Sequence, residues 1–356
     1  MFSTRFCPDV RLLPAVRPAL VLGLPFAALW LHAGPARGED AVSIEVERAG
    51  QVGQATPALT VVVRAELTEL NVNLKCGSTP ARSVGPARSG ARVRIELPVP
   101  QGKHRCEGTL SITLPDGSGG DLPLRFEVEQ HPPMKIQVTA EGVDTEARRL
   151  TLQVDRATDS VEVDVYGVDG LIGGGKGPGG PAGSALDLSW TDKGAEALRL
   201  EVKATDQSGF WGKLDLYPWH YDVPHVDVVF GSGDAAIAPS EVPKLSAALA
   251  EINAVVAKYG AVAPVKLYVA GFTDTVGDGA KNQRLSELRA RAIAEWFKAQ
   301  GFSGPVFVRG LGENGLLVPT PDETDELRNR RATYILAADA PPSSAALPAG
   351  TWAPLR

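Results

Sequence analysis

The chain has 356 residues, long enough for two or three domains of about 100 to 150 residues each. Its formal charge of −6 provides no basic excess to attract phosphates, which argues against a nucleic acid partner. The five histidines lack metal-ligand spacing, with Pro224 between His220 and His225, and no G-x-S-x-G segment occurs. No metal, cofactor or catalytic site is expected.

The N-terminus carries Arg5, Arg11 and Arg17, then an apolar run from Ala19 to Leu31, then small residues ending at Gly38. This order predicts a secretory signal peptide over residues 1–38 and export to an oxidising compartment. The apolar run falls short of the ~20 residues needed to span a bilayer, and Pro25 interrupts it. Cys7 precedes the run, where it cannot serve as a lipid anchor at a cleavage site. Only Cys76 and Cys106 then remain in the mature chain, and in an oxidising compartment they predict a disulfide.

Residues 39–131 and 132–222 read as two all-β domains, with the boundary at Pro132 and Pro133. Short alternating runs such as Ser43 to Glu47, Leu59 to Arg64 and Asn71 to Lys75, and later Leu150 to Asp155 and Ser160 to Tyr166, predict Ig-like sandwiches. A membrane barrel is disfavoured: most runs are shorter than the 9 to 11 residues of a spanning strand, and residues 41–125 contain no Phe, Tyr or Trp. The segment GLIGGGK at 170–176 begins like a phosphate loop, but Gly177 and Pro178 follow the lysine where Ser or Thr and a helix are needed. Residues 170–183 are expected to form a flexible loop.

From Val226 the period changes. Val226 to Phe230 predicts a strand; Leu245, Leu249, Ile252 and Val256 predict a helix ending near Gly260; Val265 to Gly271 predicts a strand. A second helix is expected over Leu285 to Gln300, then strands at Pro305 to Val308 and Thr333 to Leu336. The fold class is therefore multidomain: two all-β domains, then a βαβαββ α/β module over 223–340, with a disordered tail over 341–356.

Within this module GFTDTVGDGAKNQRLSELRARA at 271–292 resembles the signature of OmpA-like C-terminal domains, which associate with peptidoglycan. FGSGDAAIAP at 230–239, GLGE at 310–313 and NRRA at 329–332 match the same family in order, so the resemblance covers nearly all of 223–340. It implies a non-catalytic protein of the periplasm or outer-membrane surface that binds peptidoglycan of the diaminopimelate type. It further implies that Asp274 and Arg289 receive the zwitterionic end of diaminopimelate, a carboxylate for its ammonium and a guanidinium for its carboxylate. Thr273 and Asn282 are secondary donors, Asn282 doubling as a helix N-cap. Phe272 stands where the family usually has histidine. The competing reading is that Asp274 and Arg289 pair with each other. Arg328, Arg330 and Arg331 are expected to form an ion network with Asp322, Glu323, Asp325 and Glu326. Outer-membrane or other envelope proteins are the expected partners of the β-domains, and the runner-up function is an assembly or secretion-associated protein that no longer binds the cell wall.

Overall fold

The computed structural model of the protein describes residues 41–231 and 233–356, so the expected signal segment, residues 1–38, lies outside the described residues. The chain packs as two compact units meeting at Pro133 and Met134.

The first unit holds strands β1 (Val42–Glu47), β2 (Ala49–Gln51), β3 (Ala58–Val63), β4 (Leu67–Cys76), β5 (Thr79–Ala87), β6 (Arg92–Glu96), β7 (Gly102–Thr113) and β8 (Gly119–His131). They form two sheets, of order β1-β3-β6 and β2-β8-β7-β4-β5. Alternation explains both: Leu59, Val61 and Val63 on the smaller sheet and Val72, Leu74 and Leu110 on the larger point into one shared core. Cys76 and Cys106 are directly opposed on β4 and β7 and form a disulfide. Sequence alternation alone does not reveal β2 or β5. The second carries Pro80 and Pro86 on a sheet edge, where a missing N–H costs no ladder bond.

The second unit opens with β9 (Ile136–Asp144), β10 (Arg149–Val154), β11 (Ser160–Gly167), β12 (Gly170–Pro178), β13 (Leu186–Ser189), β14 (Thr191–Asp192), β15 (Arg199–Thr205) and β16 (Trp211–Leu216). Their sheets, β13-β10-β9 and β14-β12-β11-β15-β16, again share one core, with Trp190 among its buried residues. The expected flexible loop at 170–183 is corrected here, since its first nine residues are strand β12, paired to β11 along its length. Glycine serves close approach: a Cβ on Gly173 or Gly175 would lie 2.0 Å from the carbonyl oxygen of Thr191 or Ser189.

The remainder is an α/β layer: β17 (His220–Asp222), α1 (Val242–Tyr259), β18 (Lys266–Gly271), α2 (Gly279–Ala299), β19 (Val306–Gly310), β20 (Ala332–Ala337) and β21 (Ala353–Pro354). The sheet order is β17-β20-β18-β19-β21, with β18 and β19 parallel and the other pairs antiparallel. One face packs Leu267, Val269, Val308, Tyr334 and Leu336 against Leu245 and Ile252 of α1 and Ile293 and Phe297 of α2.

Two sequence expectations fail here. Val226 to Phe230 is not a strand: Val226 and Val229 are exposed, and the Val229 N–H goes to Glu241 Oε2 at 2.8 Å instead of a ladder. The first strand is His220–Asp222, placed by the sequence in the preceding domain. Nor is the tail 341–356 disordered. Leu347 and Trp352 cover the second face of the sheet with Tyr268, Phe272 and Ile335, and β21 pairs with β19. Arg309 fixes the strap, Nη1 donating to Pro348 O at 2.6 Å and Nη2 to Ala349 O at 2.8 Å. Two large apolar anchors within a Pro, Ser and Ala background suffice to dock a segment whose average composition reads as unfolded.

Candidate functional site

The site lies where β18 and β19 end against the N-terminal half of α2. Gly271 and Gly310 permit this approach: a Cβ on Gly271 would lie 2.2 Å from Ser286 O, and one on Gly310 2.5 Å from Glu287 N. The helix begins six residues before its expected start because Asp278 caps it, accepting from Lys281 N at 2.9 Å. Asn282 is therefore inside the helix and not its N-cap. Its Nδ2 instead donates to Val276 O at 3.1 Å and Glu313 Oε2 at 3.4 Å, tying the 274–278 loop to the GLGE segment.

Past β18 the chain stays held, Phe272 N donating to Arg331 O and Thr273 N to Gly312 O. Phe272 turns into the tail-covered core with Arg331 stacked on it at 3.7 Å, which gives the departure from histidine a packing role. Thr273 is buried, and its Oγ1 has no hydrogen-bond partner. Asp274 is 6% exposed; its Oδ2 accepts from Arg330 Nη1 at 2.5 Å, and Arg330 also bonds Asp325. These two carboxylates hold the Arg330 guanidinium above its usual pKa, Asp325 contributing more.

Arg289 projects from the third turn of α2 and is 7% exposed. Its Nε donates to Asp234 O at 3.0 Å and its Nη2 to Gly231 O at 3.1 Å, and Phe230 lies 5.1 Å beneath the guanidinium. Burial pushes its pKa down and the charge of Arg330 adds to this, while Asp274 and Asp234 oppose it. Among the described residues Arg289 forms no ion pair with Asp274 or any other acid. The competing expectation of a mutual Asp274–Arg289 salt bridge is thus not what the side chains form.

The Arg-rich segment divides. Arg328 pairs with Glu326, whose carboxyl is pushed down to about 2, and Arg330 pairs with Asp325 and Asp274. Arg331 is a correction to the expected network: it has no acidic partner among the described residues, donating instead to Gly315 O at 2.8 Å. Sequence reasoning also missed Arg330 as the partner of Asp274, although the NRRA match contains it, and missed the 230–234 loop as the floor under Arg289.

Residues 229–330 match the OmpA family. Outer membrane protein A of Serratia odorifera is 33% identical over 88 residues, 24% of this chain and 34% of that protein. Outer membrane protein P5 of Haemophilus influenzae is 30% identical over 107 residues, 30% of this chain and 28% of that one. This chain thus spans about a third of the length of the curated relatives it matches. Among solved structures, the OmpA-like domain of FopA1 from Francisella tularensis aligns over 40% of this chain and 76% of that chain, at 17% identity and a TM-score of 0.25.

Proposed function

We propose that the OmpA-family domain at residues 229–330 binds peptidoglycan, with Asp274 and Arg289 receiving the free zwitterionic end of diaminopimelate. The observation that carries this is that both charges are buried within one site without being paired to each other. Among the described residues this buried guanidinium is answered by two backbone carbonyls and the Phe230 ring without a carboxylate bonded to it, and a carboxylate brought by a ligand would compensate it. The unpartnered Thr273 hydroxyl supplies a further contact, and Asn282 fixes the loop that carries Asp274. Arg330 then becomes the residue from which the ligand's ammonium competes for Asp274. The reading is of a binding role without catalysis, in the envelope, where two Ig-like sandwiches are tethered to the cell wall and present surfaces to outer-membrane or other envelope proteins.

The Asp274–Arg330 pair favours a second reading, in which the carboxylate is already engaged and the domain serves envelope assembly without holding cell wall. Sedimentation with purified peptidoglycan separates the two. Losing one charge-assisted hydrogen bond costs roughly 1.5 to 3 kcal/mol, so Asp274→Ala and Arg289→Ala should each weaken binding about tenfold to more than a hundredfold. Lysine-type peptidoglycan, lacking the second carboxylate, should bind weakly to the unaltered protein. Folded single variants that sediment like the parent would hand the site to the second reading. Equal binding to both wall types would leave a cell-wall protein but remove the zwitterion clasp.

A further inference from the structure

The sheet face opposite the helices borders a partly open cavity that the peptidoglycan reading does not use. Its volume is about 440 Å³, within the range of small-ligand pockets. Thr333 and Ile335 of β20 form the floor, Asp222 of β17 stands at one side, and residues 341–347 of the tail form the roof. Arg331, which immediately precedes β20, also lines the cavity.

Two donors in this wall are unspent. Arg331 is 9% exposed and has no acidic partner among the described residues; its Nη2 reaches Gly315 O, while its Nη1 is buried without any hydrogen-bond partner. Thr333 Oγ1 is likewise buried and unpartnered. Folds rarely leave such groups unanswered, and two of them on residues lining one cavity point to a missing acceptor. Burial also drives the Arg331 pKa down, with Asp227 acting against it, as expected of a cation waiting for a counter-charge.

We infer that this cavity binds a small monocarboxylate with a short aliphatic body, such as the free C-terminus of a peptide, through Arg331 Nη1 and Thr333 Oγ1. A guanidinium edge and an adjacent hydroxyl match the planar acceptor pair of a carboxylate. His225 also lines the cavity, but its charge is answered by Asp227 Oδ1 at 3.5 Å, so Arg331 is the cation left for the ligand, and a dianion would bring its second charge beside Asp222. Ile335 and Leu347 provide an apolar surface for the aliphatic part. Both donors are shut off from solvent, so their engagement requires a local shift of the side chains that line the cavity.

The inference is tested by calorimetric titration of the mature full-length protein with N-acetyl-alanyl-alanine, with its C-terminal amide and with inorganic phosphate. The acid should bind saturably and the amide at least about tenfold more weakly, since it loses the charge-assisted bond. Thr333→Val, which removes a hydroxyl that has no partner in the fold, should leave the protein folded and weaken the acid by about tenfold. Arg331→Gln should abolish binding if it folds, and Thr333→Val decides the matter if it does not. Equal affinity for acid and amide, phosphate binding as tight as the acid, wild-type affinity in Thr333→Val, or no saturable binding would each overturn the assignment.

Discussion

The N-terminal β unit and the C-terminal α/β layer bury very different side chains. In the first, the fully buried polar residues are Gln51, Thr60 and Gln130, all neutral, and Gln130 spends its amide on the Ala55 carbonyl at 3.2 Å. In the second, Thr273, Asp274, Thr275, Asn282, Ser286, Arg289, Asn329 and Arg331 are all buried, three of them charged. Burying charge opposes folding unless it is fully paired, so a region that does so repeatedly is shaped by something other than stability. The β unit is instead tuned for stability, with an aliphatic core and a cross-link. The α/β layer must recover its losses elsewhere, and the structure shows where: a large helix-side core, with strand β17 at one end of the layer extending the sheet and the tail at the other end covering the second face.

The strongest way to break this comparison is to remove those ends. Residues 223–340, the module that sequence periodicity delimits, lack β17, β21, Leu347 and Trp352. Each large side chain withdrawn from water contributes about 1.5 to 3 kcal/mol, against a net stability of only about 5 to 15 kcal/mol for a domain. A fragment of residues 217–356 should melt cooperatively by circular dichroism, whereas 223–340 should show no cooperative transition. Indistinguishable melts would mean that the tail is decoration.

Removing the cross-link addresses the other side. The bridge closes a separation of 30 residues, and on the chain-entropy view its loss costs about 3 to 4 kcal/mol. In calorimetry, Cys76→Ala with Cys106→Ala should lower one transition and leave the other in place, because the two cysteines lie in a separate compact unit. A uniform drop in both would show that the units unfold together.

The conflict between stability and binding can be sharpened at one residue. Arg289 is buried without an ion-pair partner among the described residues, so Arg289→Met, which keeps the length and packs apolar atoms, should leave stability unchanged or raise it by up to about 2 kcal/mol. The same variant should lose peptidoglycan sedimentation. A strongly destabilised Arg289→Met would show that the Gly231 and Asp234 carbonyls need the guanidinium for folding, and the contrast between the units would weaken.

Helix-side packing was legible in the sequence because its 3.6-residue period is local: Leu245, Ile252, Ile293 and Phe297 all lie where periodicity puts them. The motif around Asp274 and Arg289 was likewise visible, and the two charges lie close enough to act on each other. What escaped depends on distant contacts. Strand β17 is three residues long and exists only because β20 accepts it, and β21 is two residues held by β19 and Arg309. The glycine strand β12 has no side-chain pattern to read, its pairing being set by backbone approach. Arg330 and Arg331 are neighbours of one residue type in the short link between the 327–329 turn and β20, yet one pairs with Asp274 and the other stacks on Phe272, a division set by distant partners.

The smallest expected effect concerns His225, which clamps the entry of the α/β layer to its last central strand. Nδ1 lies 2.7 Å from Val223 O and Nε2 2.8 Å from Ala332 O, while Asp227 Oδ1 is 3.5 Å from Nε2 and the ring stacks on Tyr334 at 4.0 Å. Carbonyls accept only, so both contacts are satisfied together only when both ring nitrogens carry hydrogen, in the imidazolium form. Burial works against that charge, but Asp227 and the two carbonyls outweigh it and raise the pKa. A group whose folded pKa is raised contributes stability that is complete below its unfolded value of about 6.5 and disappears as pH climbs through the folded value. What is lost is one hydrogen bond, about 1 kcal/mol. Denaturant midpoints of the α/β transition should therefore fall as pH climbs above about 6.5 in the parent protein, and His225→Ala should flatten that slope while lowering stability most at the acidic end. Asp227→Asn should shift the decline to lower pH, because the carboxylate that favours the imidazolium is gone. A parent profile that rises across the window, or one that His225→Ala leaves unaltered, would show that the ring sits there neutral, with one carbonyl unanswered.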